Sequence, residues 1–170
     1  YSPNQAQPRW IIEGLAVLCE SGFTSGGRLR SSLFDMYLRA DVLDDNIAGL
    51  DDMSSSPQRW PQGSIWYLYG SRFRSWIADT YGPNVLKAGS QDYGGTTLPC
   101  AINRAIRRQT GRTYEQLYEG FKDRIKRQYK EQMRVVSARG LREGAPLTSD
   151  GNYAYYPRFV PRSARASDAE

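Results

Sequence analysis

The chain contains no histidine, and this absence limits its possible chemistry more than any other feature of its composition. Without imidazole, the chain alone cannot form a Ser-His-Asp triad, a Cys-His dyad or a histidine-ligated metal site. Its two cysteines, Cys19 and Cys100, match no metal-ligand spacing and are too few for a dense disulfide framework. The cysteines therefore do not indicate a redox compartment.

Long apolar segments are also absent. No apolar run approaches the roughly 20 residues that a membrane-spanning helix needs, so we predict no membrane span. The first residues show neither a basic region nor an apolar region typical of a signal peptide. Because the chain also begins without methionine, we expect a processed chain or an excised piece. Its 170 residues fit one domain of ordinary size, or one domain plus a fragment.

The net charge of +5 is concentrated in the C-terminal part. Residues 1–100 carry 8 basic and 10 acidic side chains, whereas residues 101–170 carry 15 basic and 8 acidic ones. The basic helix with Tyr118 and Tyr129 raises the hypothesis of a nucleic-acid-binding helical domain. However, these tyrosines fall on the apolar stripe and the charges mostly opposite, which is typical of an amphipathic surface helix. We therefore do not favour nucleic-acid binding.

The hydrophobic periodicity predicts an all-α body of about six helices over residues 9–142, after an extended lead-in at residues 1–8. Turn-forming residues mark the ends of the helices. The predicted helices cover residues 9–19, 31–42, 61–81, 83–88 (short), 98–109 and 113–139, and a further short helix is possible at 46–50. The last of them opens with Thr113 and Gln116 in the pattern of a capping box.

Residues 143–170 differ from the body because helical periodicity stops there. The run Leu147–Asn152 has the composition of a turn, and Tyr153–Val160 is aromatic and strand-like. We interpret residues 143–170 as a linker followed by a short β-prone tail.

The first predicted helix contains one polar residue that calls for a partner. Glu13 is a carboxylate within an otherwise apolar helix, and an unpaired buried carboxylate is costly, so we expect a cation, a metal or a proton beside it. Gly14 lowers helix stability relative to alanine, and a glycine at such a place indicates close approach of another backbone.

This segment resembles the third-ligand helix of gluzincin (peptidase MA-like) zinc metallopeptidases, which include thermolysin-like enzymes and zinc aminopeptidases. In that family, a helix of the form W-x-x-E-G-x-A-x-x-x-E follows the H-E-x-x-H helix and supplies the third zinc ligand. The matching residues are Trp10, Glu13, Gly14, Ala16 and Glu20. The resemblance implies that Glu13 binds zinc and that Trp10 packs behind the site. Glu20 matches a position that recurs in the family motif, and the resemblance assigns no role to it.

A second motif of the same family lies downstream. The run Tyr67-Leu68-Tyr69-Gly70 resembles the Y-x-x-G segment that opens a long helix in aminopeptidase-type gluzincins. In the family the first tyrosine hydrogen-bonds the tetrahedral oxyanion, so the resemblance implies that role for Tyr67, with Tyr69 as the near alternative. The helical body would then be similar to the C-terminal half of a thermolysin-like or aminopeptidase catalytic domain.

The tail adds a third resemblance. The residues Leu147-Thr148, Asp150-Gly151 and Pro157-Arg158-Phe159 are similar to the opening of a TolB-like β-propeller repeat. Bacterial proteins that join a gluzincin-like domain to such a propeller have this order, so the resemblance implies a C-terminal propeller and an exported or periplasmic protein.

The chain departs from the gluzincin pattern in one decisive respect, since it lacks H-E-x-x-H. A catalytic zinc site needs three protein ligands and an open position for water, so this chain alone should hold no zinc and be inactive. The resemblance implies zinc-dependent hydrolysis of a peptide substrate by a parent protein, whose upstream H-E-x-x-H segment would be this chain's partner.

Less specific interpretations stay open for the same residues. Glu13 could be a structural carboxylate paired with an arginine, and Tyr67 an ordinary aromatic core residue. The whole body could serve as a non-catalytic scaffold or interaction module. The acidic cluster Asp41, Asp44, Asp45, Asp51 and Asp52 lacks the spacing of a calcium loop, so we interpret it as a solvated loop.

Overall fold

The helical body predicted from the sequence is confirmed, and no strand is found within the described residues. The structure, a computed structural model, describes residues 6–55, 58–96, 101–142, 144–149 and 158–159. These residues form seven α-helices: α1 (Arg9–Phe23), α2 (Ser32–Leu43), α3 (Leu50–Ser54), α4 (Ile65–Tyr81), α5 (Asn84–Gly94), α6 (Ile102–Thr110) and α7 (Tyr114–Ala138). Two short 3-10 turns, Arg28–Arg30 and Gln62–Ser64, precede α2 and α4.

Several helix ends have the chemistry that the sequence predicts. The Thr113 amide donates to Gln116 Oε1 at 3.0 Å, and the Gln116 amide donates to Thr113 Oγ1 at 3.4 Å, which confirms the capping box at the start of α7. Gly82, with φ 99°, directly follows the last residue of α4, and Gly111, with φ 75°, directly follows the last residue of α6. Glycine suits both ends because side chains disfavour positive φ.

Two helices run further than the sequence predicts. Helix α1 continues through Gly22 to Phe23, and Thr24 Oγ1 then donates to the Glu20 carbonyl oxygen at 2.6 Å. Helix α5 continues from the predicted end at residue 88 to Gly94. A glycine inside a helix costs about 1 kcal/mol relative to alanine, which is not enough to end either helix.

Helix α3 lies later than the predicted segment 46–50. The Gly49 amide donates to Asp52 Oδ2 at 2.9 Å, so that the helix begins at Leu50. The acidic side chain stabilises the positive end of the helix dipole. The start of α3 is therefore set by this local cap, which hydrophobic periodicity alone did not indicate.

The residues around Ala48, between α2 and α3, are not helical and are held by a buried polar network. Tyr69 donates to Asp41 Oδ2 at 2.5 Å and accepts from the Ala48 amide at 3.3 Å. Tyr118 donates to the Ala48 carbonyl oxygen at 2.6 Å, and Arg59 pairs with Asp41 at 3.4 Å. Both backbone groups of Ala48 are thus satisfied by side chains, which allows this non-helical segment to be buried.

The hydrophobic core is rich in aromatic rings. Phe73 of α4 lies at its centre, with ring centroids 5.4 Å from Trp10, 5.0 Å from Tyr118 and 5.4 Å from Phe121. Trp10 also meets Tyr114 edge to face, with centroids 5.0 Å apart. Such rings bury large areas and add pair energies, so they contribute to the packing of α1, α4 and α7.

The chain divides into two units, residues 1–135 and residues 136–170. The first contains the core described above. In the second, α7 ends where the Gly140 amide donates to the Ser137 carbonyl oxygen at 3.1 Å, and Leu147 and Phe159 are 93% and 95% exposed. The predicted strand at 153–160 lies outside the described residues except for positions 158–159.

Candidate functional site

The two helices that carry the motif residues, α1 and α4, touch backbone to backbone at Gly14 and Gly70. A Cβ at Gly14 would lie 2.6 Å from the Gly70 carbonyl oxygen and 2.9 Å from its Cα. A Cβ at Gly70 would lie 3.2 Å from the Trp10 Cα and closer still to its carbonyl oxygen. Only glycine fits at either position without a shift of backbone. The close approach expected at Gly14 is therefore present, and its partner is the glycine of Y-x-x-G.

Glu13 lies beside a face of α1 that no described residue buries. Positions 12, 16, 19 and 23 share one side of the helix and form what we call the α1 stripe: Ile12, Ala16, Cys19 and Phe23. All four are exposed, Ile12 by 41% and Phe23 by 87%. Glu13 and Glu20 follow stripe residues by one position, so both flank the stripe on the same side. Helix α1 is therefore apolar on its outer face as well as on its buried one.

The Glu13 carboxylate is partly exposed and has no ion-pair or hydrogen-bond partner among the described residues. Nineteen arginines are present in the sequence, and none of those described pairs with it. The structural alternative, a Glu13–Arg pair, thus finds no support in the described part of the chain.

Tyr67 is half-buried on α4, and its ring is covered by a cation. The Arg28 guanidinium carbon lies 4.6 Å from the centroid of the Tyr67 ring. Arg28 in turn donates from Nε and Nη2 to Glu20 Oε2, at 3.1 Å and 2.8 Å. Glu20, whose motif position carries no assigned role, thus holds Arg28 over Tyr67. Two donors on one carboxylate oxygen restrain the guanidinium more than a single hydrogen bond would.

The other two motif residues are in the core. Trp10 is 2% exposed and packs against Phe73. Tyr69 is fully buried, and its hydroxyl is engaged by Asp41 and the Ala48 amide. Burial and, next, the hydrogen bond to Asp41 raise the pKa of the Tyr69 phenol above its ordinary value. Tyr69 is therefore a structural residue in this conformation.

Glu13 is the residue of this site that could ligate a metal. Among the described residues, no three histidine, cysteine or acidic side chains come together as a metal-binding group. A partly exposed carboxylate without a cationic partner fits one zinc ligand, and the remaining ligands would have to come from outside the described residues.

The acidic cluster is engaged in contacts within the protein. Asp41 pairs with Arg59, and Asp52 accepts from the Gly49 amide. Asp45 accepts from Lys126 Nζ at 2.9 Å; this hydrogen bond and the charge of Lys126 lower the pKa of the Asp45 carboxyl. These contacts do not converge on a common point as cation ligands do.

The basic helices do not present aromatic rings for nucleic-acid bases. Tyr118 and Tyr129 are each 2% exposed, so neither ring has a free face on which a base could stack. The Tyr129 hydroxyl donates to Asp35 Oδ1 at 2.8 Å, which holds it in the interior. The amphipathic interpretation of α7 is therefore confirmed.

A group of arginines lines two open cavities on α6. The cavities measure about 410 and 490 Å³, and Arg104 and Arg108 line both. Arg107 lines the second cavity, and Arg108 pairs with Asp92 of α5 at 2.5 Å. Neither cavity contains Glu13 or Tyr67, so this basic surface is separate from the motif residues.

Sequence reasoning missed two arginines, Arg28 and Arg74. Arg28 follows a glycine-rich loop, and nothing in its spacing indicates Glu20 and Tyr67 as its neighbours. Arg74 falls within the periodic run of α4 yet is only 2% exposed. The sequence did contain one signal for Arg74: it is a charged residue within an apolar helical stretch, as Glu13 is, and such a residue indicates a buried charge that needs a partner.

The comparisons with known proteins found no match: no family model, no curated protein and no solved structure is significantly similar to this chain. Among the described helices, none is both long and apolar enough to cross a membrane.

Proposed function

We propose that this chain is the C-terminal helical part of a gluzincin-like zinc metallopeptidase domain. In this proposal Glu13 is the third zinc ligand and Tyr67 stabilises the oxyanion during peptide hydrolysis. An H-E-x-x-H segment of the parent protein supplies the two histidines and the general base, which this chain lacks. The chain alone is inactive.

The observation that carries the proposal is the contact between Gly14 and Gly70. Gly14 directly follows Glu13 in the chain, and Gly70 lies one helical turn after Tyr67. The two motifs were recognised separately in the sequence, and each contains one of these glycines. Glycine is the residue that allows two helix backbones to touch. Two motifs that matched the family by chance would not be expected to touch through their glycines, so this contact supports the view that both belong to one gluzincin-like domain.

The surroundings of Glu13 support a ligand role. Because the carboxylate has no partner among the described residues, it needs no rearrangement to bind a metal. When bound, zinc supplies Lewis-acid polarisation of the substrate carbonyl and activation of water. Glu13 would hold it through its carboxylate, and Trp10 keeps this part of α1 in place through its contact with Phe73.

Tyr67, and not Tyr69, is the tyrosine available for catalysis. The Tyr69 hydroxyl is committed to Asp41, whereas no described residue hydrogen-bonds the Tyr67 hydroxyl. The phenol of Tyr67 would donate to the negative charge that develops on the carbonyl oxygen. Arg28, held by Glu20, restrains the ring on which that donor depends.

The α1 stripe supports the proposal that an upstream segment of the parent protein packs against this chain. Four exposed apolar or small residues on one helix face favour coverage by another apolar surface, and Glu13 flanks this face. A helix carrying H-E-x-x-H would cover the stripe and bring its ligands towards Glu13. The propeller after residue 143 and an exported location remain parts of the proposal that rest on the resemblance alone.

Activity of the parent protein tests the catalytic assignment. In a protein that includes the upstream segment, Tyr67→Phe should lower kcat for peptide hydrolysis by about 100-fold, as loss of one oxyanion donor does, and leave the zinc content unchanged. Tyr81→Phe is the matched control, because Tyr81 lies on the same helix outside the site. Equal activity of both variants would refute the role of Tyr67. Absence of H-E-x-x-H from the parent protein would refute the whole proposal.

A second candidate is a non-catalytic scaffold, which the same stripe favours. In that case the stripe is a docking surface and Glu13 has no metal to bind. The two functions differ in their response to Glu13→Gln: a scaffold keeps its assembly and has no zinc to lose, whereas the peptidase loses zinc.

A further inference from the structure

Arg74 is a buried cation for which the described residues provide no counter-ion. It lies on α4, is 2% exposed, and takes part in none of the ion pairs within the described part of the chain. Its Nε atom is buried without a hydrogen-bond partner there. By contrast, the neighbouring Arg72 lies 3.8 Å from an Asp35 carboxylate oxygen. Arg74 therefore differs from the other arginine of this segment.

The ionisable groups that act on Arg74 are a phenol and a thiol. Tyr114 lies next to the guanidinium, and Cys19 acts on it from a neighbouring helix. Burial raises the pKa of the Tyr114 phenol more than Arg74 lowers it, so the phenol stays neutral near neutral pH. Arginine does not lose its proton in proteins, and an isolated buried charge is strongly destabilising. The charge of Arg74 therefore calls for an anion.

A cavity beside Arg74 has room for such an anion. It measures about 20 Å³ and lies where α1, α4, α5, α6 and α7 converge. Its wall includes Arg74, the Tyr114 phenol, Ile11, Ile102 and Ala105. This volume exceeds the roughly 10–15 Å³ that one water-sized sphere needs, and it is too small for a phosphate or a ligand carboxylate with its chain. No carboxylate side chain lines it.

We propose that this cavity is a site for one small monovalent inorganic anion, chloride, held by the Arg74 guanidinium with the Tyr114 hydroxyl as a second donor. Chloride compensates the buried charge, which a water molecule in the same place does not. The rest of the wall mixes apolar side chains with the neutral polar residues Gln7, Ser90 and Tyr93, so it adds no second charge to the site. The site is distinct from Glu13 and Tyr67 and does not depend on the metallopeptidase proposal.

Thermal unfolding of the full chain in chloride tests this site. Between about 1 mM and 100 mM chloride, with gluconate keeping the ionic strength constant, Tm should rise by roughly 3–6 °C if the ion binds only the folded state. In Arg74→Met this dependence should vanish. Arg107→Met removes the same charge from the exposed face of α6 and should keep the full dependence. An equal response in wild type and Arg74→Met would overturn the proposal.

Two further measurements keep the test decisive if Arg74→Met does not fold. Tyr114→Phe keeps the ring and the guanidinium but removes the second donor, so it should weaken the chloride dependence several-fold. Crystals grown in bromide should give an anomalous difference peak within hydrogen-bond distance of the Arg74 guanidinium. No peak there, or an unchanged chloride dependence in Tyr114→Phe, would contradict the assigned geometry.

Discussion

Gly14 of α1 packs against the backbone of Gly70 of α4, where a side chain on Gly14 would overlap the Gly70 carbonyl group. This contact sets how closely the helix with Glu13 approaches the helix with Tyr67. It also makes a direct prediction about stability.

Gly14→Ala should destabilise the fold by about 2–4 kcal/mol, because the new Cβ would overlap backbone atoms of Gly70 that cannot rotate away. Urea unfolding monitored by circular dichroism measures this change. Gly22→Ala, in the same helix, is the matched control: nothing lies within 4 Å of its Cβ position. That variant should be neutral or up to about 1 kcal/mol more stable. Similar values for the two variants would mean that the helices do not cross at Gly14.

Glu13→Gln should change the free energy of unfolding of this chain by less than about 0.5 kcal/mol, because no described residue pairs with the carboxylate. Chemical denaturation provides the measurement. A loss of more than 1–2 kcal/mol would show that Glu13 has a structural partner, which is the alternative that the sequence left open.

Tyr69→Phe should cost about 1–3 kcal/mol, since it removes the hydrogen bond to the buried Asp41 Oδ2, whose carboxylate keeps only Arg59, and leaves the Ala48 amide without its acceptor. Tyr81→Phe, whose hydroxyl has no partner among the described residues, is the control and should stay within about 0.5 kcal/mol of wild type. If the two variants unfold at the same urea concentration, the buried network does not contribute to stability.

Alkaline pH should unfold the protein cooperatively. Among the residues that the structure describes, four tyrosines have a pKa raised above the ordinary value, chiefly by burial: Tyr69, Tyr114, Tyr118 and Tyr129. In the unfolded chain these phenols lose their protons near pH 10, whereas in the folded chain they keep them, so the unfolded state binds fewer protons there. Stability is therefore fully present below about pH 10 and falls above it, by about 1.4 kcal/mol per pH unit for each such tyrosine.

Phenolate absorbance and circular dichroism, recorded in the same titration, measure this effect. Ionisation of the last tyrosines should coincide with loss of helix signal. Tyr129→Phe removes one of the four groups and should make the fall in stability less steep. Complete ionisation of all tyrosines while the helix signal persists would contradict the burial of these four phenols.

The sequence predicted the fold better than the contacts of the site. The all-α body, the capping box at Thr113 and the close backbone approach at Gly14 each follow from local rules of period, cap or residue size. The position of Arg28 over Tyr67 depends on how a loop folds back onto α1, and local rules do not describe that. Likewise, the helical period places Arg74 on α4 but does not show that its neighbours enclose it without a carboxylate.

Zinc content is the measurement that tests the central claim most directly. It should be determined by mass spectrometry on this chain and on the parent chain that extends upstream to include H-E-x-x-H. The account predicts no zinc in this chain, one zinc per molecule in the extended chain, and loss of that zinc in Glu13→Ala but not in Glu119→Ala, which changes an exposed acid on α7. An extended chain without zinc, or one that keeps its zinc in Glu13→Ala, would contradict the assignment of Glu13 as the third ligand.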